Sequence, residues 1–231
     1  MQRTRRNAAF LVAIGLLTTS ASRAPAAESE RQFERWAKAI AAFDQSDRRD
    51  GVASGEVVFV GSSSIRLWKL ATCFPDLNVV NRGFGGSQIC DSVHYFDVLV
   101  ARRRPRTVVF YAGDNDVAAG KSAQQVVRDF RAFRKKLTDA LPETRLIYIA
   151  IKPSRARWHL ADTMQAANRL IAAECRPDRR ATFVDVWEPM LGRDDQPKKD
   201  LFIDDGLHLN ESGYRLWTEL VRPHLILKPE E

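Results

Sequence analysis

One pattern constrains this chain more than any other. Short runs centred on apolar residues alternate with stretches whose apolar residues recur at helical spacing. The runs fall at 57–60, 78–81, 107–111, 146–151 and 182–186. Between them lie helical sets. Phe33, Trp36, Ala37, Ile40 and Phe43 form one, and residues 65–70 a second. Ile89, Val93, Phe96 and Val100 form a third. Ser122 and Gln125 read as a capping box that opens a helix carrying Val126, Phe130, Phe133 and Leu137. Leu160, Met164, Ala167 and Ile171 follow, and Asn210 is placed to cap a last helix bearing Tyr214, Leu216, Trp217 and Leu220. Strands that alternate with helices pair in parallel, because each helix carries the chain back across the sheet. Continuously apolar strands belong to a sheet covered on both faces. The pattern predicts a single α/β domain, with about five parallel strands between two helical layers. At 231 residues the chain is long enough to bury a substantial core.

The N-terminus follows another logic. Arg3, Arg5 and Arg6 precede an apolar run over 8–17, and small residues lead to Ala24-Pro25-Ala26. This is the order of a secretory signal peptide, and the run is too short for a membrane span of about 20 residues. A signal over 1–26, a mature domain over 27–231 and export to the periplasm or medium are therefore expected. Arg5-Arg6 leaves the twin-arginine route open. Without the four arginines of that segment the net charge falls from +7 to +3. That argues against a nucleic-acid binder, and the cluster Arg102-Arg103-Arg104-Pro105-Arg106 reads as a solvated helix end. Cys73, Cys90 and Cys175 show no metal-binding spacing, and their pairing is open.

In open α/β sheets, ligands bind beyond the carboxyl ends of the strands. The first strand is followed by Gly61-Ser62-Ser63-Ser64, the second by Gly83-Phe84-Gly85-Gly86, and the third by Gly113-Asp114-Asn115-Asp116. A loop after the fifth carries Asp205-Gly206-Leu207-His208. A serine hydroxyl needs an adjacent base to become a nucleophile, and His208 can serve. Asp205, three residues earlier, can hold the imidazole tautomer. An acyl-transfer oxyanion needs donors, and the N–H groups of Ser63 and Gly86 with the amide of Asn115 are candidates. Each piece has a plainer structural reading: polar turn, glycine geometry, helix cap or surface pair. All four fall at one edge of one sheet. Asp114, Asp116, Asp204 and Asp205 are accounted for by capping and the His208 pair, so no metal is expected. Trp68, Trp158 and Trp187 are assigned to core packing.

These blocks resemble the SGNH, or GDSL-type, hydrolase superfamily. Val58-Phe59-Val60-Gly61-Ser62-Ser63-Ser64-Ile65 matches its first block, Asn81-Arg82-Gly83-Phe84-Gly85-Gly86 its second, Tyr111-Ala112-Gly113-Asp114-Asn115-Asp116 its third and Asp205-Gly206-Leu207-His208 its fifth. The resemblance implies a flavodoxin-like three-layer α/β/α sandwich. It implies a serine esterase or acylhydrolase with Ser63, Asp205 and His208 as catalytic residues, and an oxyanion hole of Ser63, Gly86 and Asn115. No cofactor is implied. The substrate would be a small-molecule, lipid or carbohydrate ester. Acyl transfer to a sugar, carbohydrate O-acetyl ester cleavage and a non-catalytic binding module are the alternatives. Ser62 stands where the family usually has Asp, which makes Ser62 and Ser64 rival nucleophiles. No Gly-x-Ser-x-Gly elbow is present, unlike the α/β-hydrolase fold.

Overall fold

The computed structural model describes residues 33–52 and 56–225. The expected signal over 1–26 lies outside them, and the expected mature domain is described only over these spans. Five parallel strands form one sheet: β1 (Val57–Gly61), β2 (Val79–Gly83), β3 (Thr107–Tyr111), β4 (Arg145–Ile149) and β5 (Ala181–Val184). Their order is β2-β1-β3-β4-β5. This is the flavodoxin-like order, and its direction of winding reverses between β1 and β3. Each predicted strand is present, within two residues at either end.

Side chains alternate along a strand, so each strand feeds two cores. Val58, Val60, Val108, Phe110, Leu146 and Tyr148 face one side. There they meet α1 (Ala37–Asp50), α4 (Ile89–His94), α5 (Phe96–Leu99), α7 (Ala123–Ala140) and α8 (Ala161–Cys175). Val57, Phe59, Val109, Tyr111, Ile147 and Ile149 face the other. They pack on α2 (Ser63–Arg66), α3 (Leu70–Cys73) and α9 (Glu211–Leu225). Helix α6 (Asp114–Ala118) follows β3. Val126, Phe130, Phe133 and Leu137 of α7 are all buried, as the spacing predicts. Each such burial stabilises the fold by roughly 1.5–3 kcal/mol relative to exposure. Ser122 and Gln125 form the expected reciprocal cap, and Asn210 Oδ1 accepts from the N–H groups of Ser212 and Gly213 at the head of α9.

Three expectations change. The helix predicted over 65–70 is interrupted between α2 and α3. Asn81 Nδ2 donates to the carbonyls of Ile65 (2.7 Å) and Trp68 (3.2 Å), which a continuing helix would use. Trp68 turns inward against Phe59, Phe74 and Trp217 instead. The helix read across 89–100 breaks at Tyr95. Finally, Arg103 is not solvated: it is buried and forks onto Glu56, and also meets Asp47, which pairs with Arg82. Arg102 and Arg104 are exposed, as expected of this cluster, and Arg102 pairs with Asp44 at 2.6 Å. Buried charges of one sign require partners, and this cluster ties α1 to the N-terminal edge of the sheet. Cys73, Cys90 and Cys175 form no disulfide with one another.

Candidate active site

The first turn of the site is built on Gly61. Its φ is 140°, and a Cβ there would lie 1.8 Å from the Tyr111 carbonyl oxygen. Only glycine lets β1 pass so close to β3 and turn sharply. Ser62 N–H then donates to that same carbonyl at 3.1 Å. The turn leaves Ser62 and Ser64 fully buried, their hydroxyls without hydrogen-bond partners, while Ser63 at the start of α2 opens to a cleft. The three adjacent hydroxyls are thereby separated: Ser63 reaches a histidine, and its neighbours face the core.

That histidine is His208. Its Nε2 lies 3.0 Å from Ser63 Oγ, and its Nδ1 lies 2.6 Å from Asp205 Oδ2. Asp205 Oδ1 accepts from the N–H groups of Leu207 (2.8 Å) and His208 (2.9 Å). Desolvation raises the Asp205 pKa, but the His208 ring and these two N–H groups outweigh it and bring it down to about 2. A carboxylate with that many donors is charged throughout the neutral range. The loop itself is fixed. Ile203 N–H donates to the His208 carbonyl at 2.9 Å, Phe202 bridges Leu209, and Asn210 Nδ2 holds the carbonyls of Asp200 and Phe202.

Gly86 and Asn115 line the same cleft as Ser63 and His208, a space of about 760 Å³. Gly86 has a φ of 77°, which suits glycine and leaves its N–H with no acceptor among the described residues. The Ser63 N–H is likewise unclaimed. Asn115 Nδ2 spends one hydrogen on the Ser87 carbonyl at 2.9 Å, which orients the amide and leaves the second available. All five predicted residues therefore meet at one place, beside the β1/β3 reversal.

Two acids differ from the expected caps. Asp114 is buried under Lys152 Nζ (3.2 Å) and an Arg157 guanidinium nitrogen (3.1 Å). Burial raises its pKa, and the two cations more than reverse this. Asp116, also buried, accepts from Ile89 N–H and pairs with Lys121 at 2.8 Å. Both are ion-paired rather than simple caps, because a buried carboxylate needs full charge compensation. Lys152 and Arg157 are not among the predicted site residues. They follow β4, and the same carboxyl-edge rule points to them. Trp68 and Trp187 are buried as expected, and Trp158 stacks on Trp187 at 5.9 Å.

Comparison with known proteins bears on the family and the fold. A family model described as GDSL-like lipase/acylhydrolase matches residues 65–216. No curated protein matches the chain. Among solved structures, the fold is similar to a Streptococcus pneumonia protein provisionally assigned as a platelet activating factor, with TM-score 0.75, 20% identity, and coverage of 87% of this chain and 99% of that one. A GDSL-like lipase from Bacteroides thetaiotaomicron gives TM-score 0.67 and 20% identity over 84% and 96%. A carbohydrate esterase family 3 protein from Talaromyces cellulolyticus gives 0.60 and 20% over 74% and 95%. At these identities the likeness shows the fold, and the family match carries the class of reaction, ester-bond hydrolysis. The chain belongs to the GDSL-like lipase/acylhydrolase family and is an ester-bond hydrolase.

Proposed function

We propose that the protein is a serine esterase acting through Ser63, His208 and Asp205. The observation that carries this reading is the continuous hydrogen-bonded chain Ser63 Oγ–His208 Nε2 and His208 Nδ1–Asp205, at 3.0 and 2.6 Å. His208 takes the Ser63 proton as Oγ attacks the ester carbonyl. The tetrahedral oxyanion is held by the N–H groups of Ser63 and Gly86 and the free hydrogen of Asn115. Collapse breaks the C–O bond, and His208 returns its proton to the departing alcohol. Water then attacks the acyl-enzyme by the same route, releasing the acid and regenerating Ser63. Asp205 stays ionised and steadies the imidazolium.

The substitution of Ser62 for the family's Asp does not enter this sequence of steps, since its hydroxyl is buried without a partner. The test is hydrolysis of 4-nitrophenyl acetate, butyrate and octanoate by the mature chain and by Ser63→Ala, with labelling by a serine-reactive phosphonate. Loss of both activities in Ser63→Ala is the expected result. An intact protein that neither hydrolyses these esters nor takes the label would instead be a binding module. Export follows from the N-terminal pattern, and N-terminal sequencing of protein recovered from the periplasm or medium tests it: the chain should begin near residue 27.

A further inference from the structure

The cleft in front of Ser63 has an unusual wall. Its charged lining residues are Arg35, Lys38, Arg66 and Arg157, and no carboxylate of the described residues lines it. Elsewhere some exposed cations of the described residues face acids, such as Arg48 with Asp44, Arg131 with Glu174, Lys135 with Asp139 and Arg180 with Glu143, while others, among them Lys69, Arg128, Lys136 and Arg169, face none. Lys38 and Arg66 have no such partner among the described residues. Arg35 reaches the buried Asp91 at 3.4 Å, with its own side chain 53% exposed.

Arg157 is the telling residue. Lys152 alone would balance Asp114, yet Arg157 shares the same carboxylate oxygen. Two cations on one carboxylate leave a surplus positive charge next to Asn115. The Arg157 nitrogen that approaches Asp114 is buried, and it makes no hydrogen bond there despite the 3.1 Å separation. Charge alone holds that pair, and the N–H donors stay unspent. A surplus cation held partly out of water is costly to the fold alone, and an arriving anion removes that cost. A planar guanidinium also suits a phosphate or carboxylate. The other side of His208 is different. There a groove of about 650 Å³ carries Leu67 and Ile203, 40% and 50% exposed, and includes both acids and bases. The cationic character is thus confined to the side holding Ser63, Gly86 and Asn115.

We propose that this esterase acts on anionic substrates, with a phosphate or carboxylate of the ester held by Arg157, and by Lys38 and Arg66 at the mouth. The proposal rests on the ester-hydrolase reading of Ser63. The exposed cations raise the local concentration of anions, and salt weakens that effect; Arg157, more enclosed, fixes the bound group.

The test compares three acetylated sugars that share the acetyl ester and differ in the group at C6, neutral hydroxymethyl, carboxylate or phosphate: O-acetylglucose, O-acetylglucuronic acid and O-acetylglucose 6-phosphate, followed by acetate release. Wild-type kcat/KM should be at least 10-fold higher for one charged member than for the neutral one. Preference for the glucuronate identifies a carboxylate ligand, and preference for the phosphate a phosphoryl one. The ratio should fall in 0.5 M salt. It should collapse to within about 2-fold in Arg157→Gln and drop several-fold in the exposed double variant Lys38→Gln/Arg66→Gln. Each variant's own rate on the neutral ester is the internal reference, so a general loss of fold does not mimic the effect. Equal kcat/KM on charged and neutral members, with hydrolysis intact, overturns the anionic preference and leaves the esterase standing. Hydrolysis of none of the three, nor of 4-nitrophenyl esters, overturns both.

Discussion

Replacing Asp205 by Asn removes one charge and changes almost nothing in shape, which makes it a sharp probe of the site. The carboxylate now makes three bonds. Oδ1 accepts two backbone N–H groups, and Oδ2 accepts the His208 ring. Asn has one acceptor oxygen and one donor group. If its oxygen stays on the backbone, its NH₂ faces Nδ1, and the ring proton is driven to Nε2. A protonated neutral Nε2 cannot take the Ser63 proton. If the amide flips, the correct tautomer returns but both backbone N–H groups lose their acceptor. The flipped form is two hydrogen bonds poorer, about 2–4 kcal/mol at 1–2 kcal/mol each. That leaves the competent form at roughly one part in 30 to one in 1,000. The charge that steadies the imidazolium is lost as well, which carries the total toward the about 10⁴-fold loss seen when a triad Asp becomes Asn elsewhere.

The assay is kcat on 4-nitrophenyl butyrate, with thermal unfolding in parallel. We expect a fall of at least 30-fold in a variant that still folds cooperatively but melts somewhat below the parent at neutral pH. Retention of more than a third of the activity would refute the assignment of Asp205. The pH profile adds a second check. Asp205, drawn down to about 2 by its donors, is ionised well below neutrality, so loss of activity between pH 7 and 4 is not its titration. Its folded pKa lies below the unfolded value, so its stabilisation is present above about pH 4 and fades as pH falls toward 2. The Asp205→Asn change removes that acid-sensitive part: the gap in melting temperature between parent and variant should narrow over this window.

Other outcomes follow from the same geometry. Ser63→Ala should lower kcat by about 10⁴-fold or more, whereas Ser62→Ala and Ser64→Ala, which delete buried unpartnered hydroxyls, should alter stability by under about 1 kcal/mol in urea titrations. Asn115→Ala should reduce kcat by about 10²–10³-fold with KM nearly unchanged; a pure KM effect would count against an oxyanion donor. Gly61→Ala should yield little soluble protein, since its Cβ would meet the Tyr111 carbonyl at 1.8 Å. Arg103→Met should cost about 3–5 kcal/mol in chemical denaturation, because it strands Glu56 as a buried carboxylate and leaves Asp47 to Arg82 alone; a loss below about 1 kcal/mol would show that the cluster is not structural.

Why so much of this site lies open to reading is a matter of where it sits. Ser63, Gly86 and Asn115 each come within a few residues of a strand end, and strands of this kind announce themselves as apolar runs. A short turn leaves little freedom, so the local sequence specifies where each side chain points. Asp205 and His208 lie far from any strand, yet a three-residue spacing and one shared hydrogen bond make the pair self-contained. What escaped was relational. Nothing local to Arg103 distinguishes it from Arg102: both lie in one basic run, and only the third dimension brings Glu56 and Asp47 under one of them. The break between α2 and α3 depends on Asn81, thirteen residues beyond Trp68, capturing carbonyls across the sheet edge.

The same contrast explains the charge on the cleft. Counted along the chain, Arg35, Lys38, Arg66 and Arg157 are four basic residues among many, and the net charge without the N-terminal segment is nearly balanced. Folding sorts them. Helix α1 and the segment just before it bring Arg35 and Lys38 to one wall, the turn after β1 brings Arg66, and the loop after β4 brings Arg157. Two of them meet acids that are shared with other groups: Arg35 reaches Asp91, which also accepts from the Gln88 N–H, and Arg157 shares Asp114 with Lys152. A nearly neutral chain can thus present a strongly cationic mouth, and net charge excludes far less about a substrate than it does about a polyanionic partner. Long nucleic acids need an extended basic face; a small anionic ester needs only the few cations that one cleft can gather.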